Sequence, residues 1–321
     1  MNTLEGNAWR TLAGFEGIGS SALWMIADYL TQQRKTASWL FENPEKFKEI
    51  FHAGPFSLAA SHGNKLKNLA AGPTGKQPIT VLHPFHPDFP ERIRGLKNKM
   101  SVPALLYVRG NMEILKKPAI AVVGKRNTGA MALAVTNTLA AELAAKEINL
   151  TSGYASGIDT AAHLAALRAG GTTSIILAEG IRHFKVKPSL SEFLTKKNTL
   201  VISQFEPDAK WAPYMAMTRN RLVGALSQAL MVIISGPEHN DSGRHSGTFN
   251  AAISAQKMGI PVFVAAPSFF NDPPAGNEAL IARGCRAWDP ASGIESILAA
   301  IDRNIKKNYP KQLTLFKQNG D

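Results

Sequence analysis

From residue 119 onward, short apolar runs alternate with segments that have the polar and apolar spacing of helices. This alternation is typical of βαβ units around a parallel sheet that is buried on both faces. It predicts strands at residues 119–123, 148–152, 173–178, 199–204, 229–235, 260–265 and 285–288. It predicts helices at residues 130–146, 158–169, 219–226, 247–258 and 277–283. We therefore expect an α/β fold with a Rossmann-like, doubly wound, mainly parallel sheet.

The segment before this pattern is different and predicts a small helical N-terminal domain. It is rich in Ala, Leu, Trp and Phe and ends in a turn-prone stretch at residues 70–75, a candidate linker. Two β-like runs follow at residues 80–82 and 104–108. The expected organisation is a helical domain at 1–75, a Rossmann-like domain with an N-terminal β extension at 76–303, and a polar tail at 304–321.

Residues 12–22 place a Gly-Ile-Gly turn between two predicted helices and resemble a helix-hairpin-helix. In one interpretation the glycine amides approach a DNA phosphate. In the other, the segment is a tight turn between packed helices. The residues alone leave both interpretations open.

Composition changes the picture mainly through charge. Of 321 residues, 36 are Lys or Arg and 24 are Asp or Glu, so the net charge is +12 and favours a polyanionic partner such as nucleic acid. The single cysteine, Cys285, excludes an internal disulfide and a cysteine-rich zinc site. Pro84 and Pro87 break any helix that could align His83 with His86, and no carboxylate or cysteine is spaced to complete a tetrahedral set, so no metal is expected there.

The N-terminus has no signal-peptide pattern, and no apolar run is long enough for a membrane span. We expect a cytoplasmic protein with no membrane partner. Dinucleotide and Walker loops are also absent from the sequence, so neither a nicotinamide nor ATP is expected. The sequence calls for no cofactor and no catalytic residue.

Candidate chemistry lies in four loops that follow the predicted strands, where ligands bind in open α/β sheets. These loops combine glycine amides, hydroxyls and basic side chains at helix starts, which suits phosphate. The candidate phosphate-binding residues are Gly124, Lys125, Arg126, Ser152, Gly153, Ser156, Gly157, Arg219, Asn220, Arg221, Arg244, Ser246, Gly247 and Thr248. Asp159 follows in a first helical turn and is expected to accept amide hydrogens rather than act as an acid catalyst.

Four of these segments, in this order, resemble the motifs of the DNA-processing protein A family, DprA/Smf. The segments are residues 124–126, 152–163, 219–227 and 246–248, and the likeness extends over residues 83–290. The resemblance implies that the domain binds single-stranded DNA in a basic pocket and delivers it to a recombinase, without catalysing a reaction. By this resemblance the pocket residues are Arg126, Ser152, Gly153, Ser156, Gly157, Arg219, Arg221, Ser246 and Gly247.

Two segments depart from the family pattern. Residues 211–218, just before Arg219, stand where the family has a Pro-Phe-Pro-like segment. The loop at 236–245 is enlarged. These departures leave the pathway open between transformation, recombination and a divergent role such as defence against foreign DNA.

Two other functions stay open. The LOG-type nucleotide phosphoribohydrolases belong to the same superfamily and resemble this chain around the Ser246-Gly247-Thr248 turn. In this chain, however, no carboxylate follows that turn to stabilise an oxocarbenium ion. A nucleotide sensor would bind a signal in the same pocket without cleaving it. Any base stacking would come from scattered rings such as Tyr154, Tyr214 or Phe249.

The tail contains Gln312, Leu313, Leu315 and Phe316, which resemble the short peptide that docks on a replicative sliding clamp. The alternative is a short terminal strand or a segment that folds back onto the body. The expected partners are therefore single-stranded DNA, a recombinase, the sliding clamp and a second copy of the chain.

Overall fold

The computed structural model describes residues 2–51, 79–239, 243 and 245–308. The chain forms two compact units, one comprising Met1–Phe89 with Asn98–Arg109 and the other Pro90–Lys97 with Gly110–Asp321. The linker expected at 70–75, Arg244 and the clamp-like peptide at 312–316 lie outside the described residues. None of the helices in the described ranges is long and apolar enough to cross a membrane.

Over its described residues, the first unit contains four α-helices and an antiparallel strand pair. Its elements are α1 (Asn2–Ala13), α2 (Ser20–Gln33), α3 (Ala37–Glu42), α4 (Phe47–Phe51), β1 (Thr80–Leu82) and β2 (Leu106–Gly110). In the pair, Thr80 lies opposite Val108. Two buried tryptophans lie in the core of this unit. Trp9 stacks on His83 with 5.9 Å between ring centroids, and the Trp24 indole donates to the Val102 carbonyl at 3.0 Å.

A tight turn joins α1 to α2 at the position predicted from the sequence. Gly17 adopts a φ of 82°, which favours glycine, and Ile18 is buried below it. Gly17 and Gly19 are exposed. Contact of these glycines with a DNA phosphate stays a prediction.

In the part of the second unit that the structure describes there are seven parallel strands, all within or next to the predicted ranges. They are β3 (Ala119–Val123), β4 (Asn149–Ser152), β5 (Thr173–Ile176), β6 (Thr199–Ser203), β7 (Ala229–Val232), β8 (Val262–Ala265) and β9 (Arg286–Trp288). Their spatial order is β6-β5-β4-β3-β7-β8-β9. The order runs outward from β3 in one direction and then restarts beside it with β7, as in a doubly wound sheet. The predicted fold class is confirmed.

Helices cover both faces of these strands. The helices of this unit are α5 (Glu91–Arg94), α6 (Ala130–Ala145), α7 (Ile158–Arg168), α8 (Pro213–Ala225), α9 (Gly247–Lys257), α10 (Ala275–Ala282) and α11 (Glu295–Asn308). Every residue of β3 to β8 is buried, which explains why β3, β7 and β8 are continuous apolar runs. On one face, Ile120 and Val122 pack with apolar side chains of α6, α7 and α11.

Helix α8 begins six residues before its predicted start, at Pro213 rather than at residue 219. Proline fits the first helical turn because its φ is fixed and the amide hydrogen that it lacks is not needed there. Arg219 and Arg221 therefore lie in the middle of the helix and not at its start. Two residues apart on a helix, they point to different sides: Arg219 is buried and Arg221 is exposed.

Asn277 on α10 ties together the backbone beyond β7 and β8. Its side chain is fully buried, accepts from the Ser235 amide at 2.8 Å, and donates to the carbonyls of Ile233 at 3.0 Å and Ala265 at 2.9 Å. At the adjacent Gly276 a Cβ would overlap the carbonyl of Gly236, so the helix can approach this closely only with glycine there.

We expect Asn277→Ala to lower the free energy of unfolding by about 2–4 kcal/mol, because it leaves three buried backbone groups without partners. Chemical denaturation of the two proteins measures this difference. Asn137→Ala on the exposed side of α6 is the matched control and should change stability by less than about 0.5 kcal/mol. An Asn277→Ala protein as stable as the control would contradict this role.

Candidate functional site

The candidate site lies at the carboxyl ends of β3 and β7, where the strand order reverses. A cleft of about 480 Å³ opens there. Three helices and one strand end enclose it: the segment after β3, the start of α7, the first half of α8 and the N-terminus of α9. Its lining residues are Val123, Gly124, Lys125, Arg126, Ala155, Asp159, Trp211, Pro213, Ala216, Met217, Arg219, Asn220, His245, Ser246, Gly247, Thr248 and Ala251.

A second cleft of about 230 Å³ adjoins the first. The two clefts share Arg126, Trp211 and Arg219, so cations and an indole stand at their junction. Tyr154 and Ser156 line the second cleft, on the segment after β4. We call these two adjoining clefts together the Arg126–Arg219 cleft.

Arg219 is the buried cation of this cleft, with 7% of its surface exposed. Its Nη1 lies 3.8 Å from Oδ2 of Asp159, which is equally enclosed. The guanidinium lies directly over the backbone of Gly153, where any Cβ would overlap it. The glycine is therefore needed to make room for the arginine.

Burial and charge act in opposite directions on this pair. Burial raises the pKa of the Asp159 carboxyl, and the positive charge of Arg219 opposes that shift. Burial also lowers the pKa of the Arg219 guanidinium, opposed by the attraction of Asp159. Arginine stays protonated in proteins, so the floor of the cleft carries a cation whose charge is partly compensated.

Lys187 braces the segment after β4 from the side. Its Nζ donates to the carbonyls of Tyr154 at 3.0 Å and Ala155 at 3.1 Å, and to Oγ1 of Thr160 at 2.7 Å. The ammonium also lies 4.5 Å from the centroid of the Tyr154 ring. Burial lowers the pKa of Lys187, while Asp159 opposes the shift. Sequence reasoning missed this residue because it lies in an irregular segment with no motif.

His163 supports the same segment from inside. Its ring is fully buried, with Nε2 2.6 Å from the Gly153 carbonyl and Nδ1 2.6 Å from Oγ1 of Thr173. Burial lowers the pKa of His163 to about 4, so the ring is neutral at pH 7. Neutral His163 donates from Nε2 and accepts at Nδ1, which fixes the position of Gly153 under the arginine.

Gly157 brings the loops after β3 and β4 together. Its φ of 76° favours glycine, and a Cβ there would overlap the carbonyl oxygens of Lys125 and Arg126. Both basic side chains are exposed at the cleft. Gly157 thus positions backbone, and it is absent from the lining of both clefts.

The N-terminus of α9 forms the opposite wall. Ser246 caps the helix, its side chain accepting from the Phe249 amide at 3.3 Å. Asn220 donates to the Gly247 carbonyl at 2.9 Å and so joins α8 to this wall. A helix N-terminus next to basic side chains is suited to an anion.

The structure brings together most of the predicted phosphate-binding residues. Those that line a cleft are Gly124, Lys125, Arg126, Ser156, Arg219, Asn220, Ser246, Gly247 and Thr248. Ser152 and Gly153 lie beneath: Ser152 is fully buried, and its hydroxyl donates to the Val122 carbonyl at 2.6 Å. Arg221 is exposed and lines neither cleft.

Trp211 is the aromatic residue that sequence reasoning missed. It is 51% exposed and lines both clefts. Of the three rings proposed for stacking, Phe249 is core at 2% exposed, and Tyr154 packs on Phe184 at 5.2 Å. Tyr214 is 64% exposed but outside both linings. The signal available in the sequence was a tryptophan that stands outside the apolar runs, shortly before Pro213.

Metal ligands are not grouped at this site. In the part of the chain that the structure describes, no cluster of three or more His, Cys, Asp or Glu residues could hold a metal ion. Cys285 is buried.

The fold and this cleft define a Rossmann-like α/β protein with a basic, helix-bounded cleft at the strand-order switch point. The model of the family described as DNA recombination-mediator protein A matches residues 80–301, and the chain belongs to this family. The resemblance drawn from the loop motifs is thereby confirmed.

Relatives and solved structures agree with this membership. The DNA processing protein DprA of Bacillus subtilis (strain 168) is 31% identical over 218 residues, which is 67% of this chain and 70% of that protein. The X-ray structure of DNA processing protein A from Streptococcus pneumoniae has a TM-score of 0.68 at 22% identity, covering 92% of this chain and 98% of that one. DNA processing protein A from Helicobacter pylori, solved in a study of its single-stranded DNA binding mode, has a TM-score of 0.54 at 26% identity, covering 73% of this chain and 99% of that one.

The buried His163 predicts a pH dependence of stability. Its folded pKa of about 4 lies below the ordinary 6.5, so the unfolded chain binds the extra proton first. Stability is therefore fully present above pH 6.5 and falls as the pH drops toward 4, by about 3 kcal/mol for a shift of this size. Urea unfolding at several pH values should show that His163→Gln lacks this part of the decline. If the unfolding free energies of the variant and the wild type fall in parallel as the pH is lowered, the assignment of this decline to His163 is contradicted.

Proposed function

We propose that this chain binds single-stranded DNA in the Arg126–Arg219 cleft and delivers it to a recombinase. The observation that carries the proposal is the buried Arg219 at the junction of two clefts, flanked by exposed Arg126 and Trp211. Family membership supports it, as does the single-stranded DNA bound by the Helicobacter pylori relative.

The donors of the cleft suit a phosphate backbone more than base edges. They are guanidinium groups, an ammonium group and the N-terminus of α9, all of which bind phosphate irrespective of sequence. Trp211 adds a π-face on which any base can stack. A basic groove with an exposed ring is the combination by which proteins hold single strands without sequence preference.

A hydrolytic function has less support. The carboxylates that line the clefts are Asp159 and Glu179. Asp159 is buried, accepts from the Ala155 amide at 3.3 Å and faces Arg219, so it is poorly placed to activate water. We infer that the chain acts as a binding protein and not as an enzyme, in keeping with the description of its family as a mediator.

The finer assignments are also proposals. We propose a cytoplasmic recombinase as the receiver of the DNA, with a second copy of the chain and the replicative sliding clamp as further partners. Clamp docking would use Gln312, Leu313, Leu315 and Phe316, whose apolar side chains follow Pro310 in the sequence. The pathway stays open between transformation, recombination and defence.

Fluorescence anisotropy with labelled oligo-dT tests the site. Arg126→Ala should weaken binding by about 1–2 kcal/mol and reduce the slope of log K against log salt by about one, because one phosphate contact is lost. Arg168→Ala is the matched control, since that exposed arginine lies at the opposite end of α7. AMP should neither compete strongly nor be cleaved.

If Arg126→Ala and Arg168→Ala bind oligo-dT with equal affinity, the cleft is not part of the DNA-binding surface. Tight AMP binding without oligo-dT binding would instead indicate a nucleotide sensor, and release of adenine would indicate a phosphoribohydrolase.

Trp211 should report on bound DNA directly. We expect oligo-dT to quench its fluorescence, and Trp211→Ala to lose about 1–3 kcal/mol of binding free energy by removing one stacking surface. Trp211→Phe should keep part of that energy. Tyr214→Ala, which removes an exposed ring outside the clefts, is the control and should bind as the wild type does. Quenching that persists in Trp211→Phe would show that another indole is the reporter.

A further inference from the structure

The ion pair on the floor of the cleft is unusually loose for a buried pair. Arg219 Nη1 and Asp159 Oδ2 are 3.8 Å apart, beyond the 2.7–3.2 Å of an ordinary N–H···O hydrogen bond. The buried Nε of Arg219 has no hydrogen-bond partner among the described residues. Because the pair is this loose, the part of the guanidinium that faces the open cleft can take an acceptor from outside.

Asp159 occupies the place where an external anion would otherwise be favoured. It lies in the first turn of α7, a position that stabilises negative charge. Its Oδ2 accepts from the Ala155 amide at 3.3 Å and faces Arg219 from the same side. The carboxylate therefore stands in for a ligand oxygen at the cleft floor.

We propose that Asp159 is an internal anion that competes with a DNA phosphate for Arg219, stabilising the empty cleft and weakening DNA binding. The inference rests on the proposed function and adds an affinity-determining residue to it. Arg219 is the group that touches DNA, and Asp159 acts through it.

The energetics give Asp159 opposite effects in the free and bound states. In the free protein, a buried guanidinium without its carboxylate would be uncompensated, which is strongly destabilising. In the complex, a phosphate supplies the negative charge, and the nearby carboxylate then repels it. Removing only the charge should therefore make the free protein less stable and the complex tighter. If Asp159 merely held the fold together, the same substitution would lower both the stability of the free protein and its affinity for DNA.

Gly153 makes this exchange sterically feasible. The guanidinium lies over its backbone, and His163 holds the Gly153 carbonyl from beneath. Arg219 can thus stay in place while its partner changes from carboxylate to phosphate. Lys187 and Arg126 keep the surroundings positive in either state.

The test compares Asp159→Asn with the wild type, using urea unfolding without DNA and oligo-dT anisotropy. Asn keeps the size and an acceptor oxygen but removes the charge. We expect a lower unfolding midpoint together with about three- to tenfold tighter oligo-dT binding. Asp208→Asn is the matched control: it removes the same charge from an exposed ion pair with Arg182, outside both clefts. It should change neither measurement appreciably.

A folded Asp159→Asn protein whose affinity is unchanged or weaker would overturn the inference while leaving the proposed function intact. Absence of oligo-dT binding by the wild type would overturn both. If Asp159→Asn does not fold, a structure of the wild-type protein with oligo-dT decides. A phosphate oxygen hydrogen-bonded to Arg219, with Asp159 at 3.8 Å or farther, supports exchange. An Arg219 remote from every phosphate refutes it.

Discussion

The burial of the Arg219 guanidinium is the constraint on which the site depends. A cation enclosed to this degree requires a nearby anion and leaves little room for neighbouring side chains. Asp159 provides the anion, and Gly153 provides the space. His163 and Lys187 then hold the Gly153–Ala155 backbone in the one position compatible with that packing. The residues around the cleft thus act as one unit, and a change at any of them reaches the arginine.

The sheet explains why this unit faces a cleft at all. Adjacent strands β3 and β7 send their connections to opposite faces, so the segments that follow them diverge and leave a space at their carboxyl ends. The N-terminus of α9 closes one side, and α8 crosses the other with Arg219 pointing inward. Asn277 secures the neighbouring ends of β7 and β8. A doubly wound topology therefore supplies the cavity, and the basic side chains of its lining give the cavity its positive charge.

The sequence predicted much of this architecture because buried parallel strands are continuous apolar runs, as Ala119–Val123 illustrates. It also predicted which loops meet, since the carboxyl ends of parallel strands share one edge. It failed where side-chain direction depends on a helix register: Arg219 and Arg221 look equivalent in sequence, but the early start of α8 buries one and exposes the other. Lys187 and Trp211 lie in irregular segments, where no periodicity indicates which way a side chain points.

Ser152 and Asp159 show a further limit of motif reasoning. Both lie in a segment that suits phosphate by composition, yet the Ser152 hydroxyl is used by the Val122 carbonyl and Asp159 faces Arg219. A glycine- and serine-rich loop therefore serves two purposes, because part of it supports the cation and part of it borders the cleft. Burial separates these roles: groups below the arginine determine its position and charge, and groups beside it, such as Ser156, line the cleft. Under the proposed function, a protein that binds DNA and then passes it on needs both an attractive surface and a limit on its attraction, and the proposed role of Asp159 beneath Arg219 is to supply that limit.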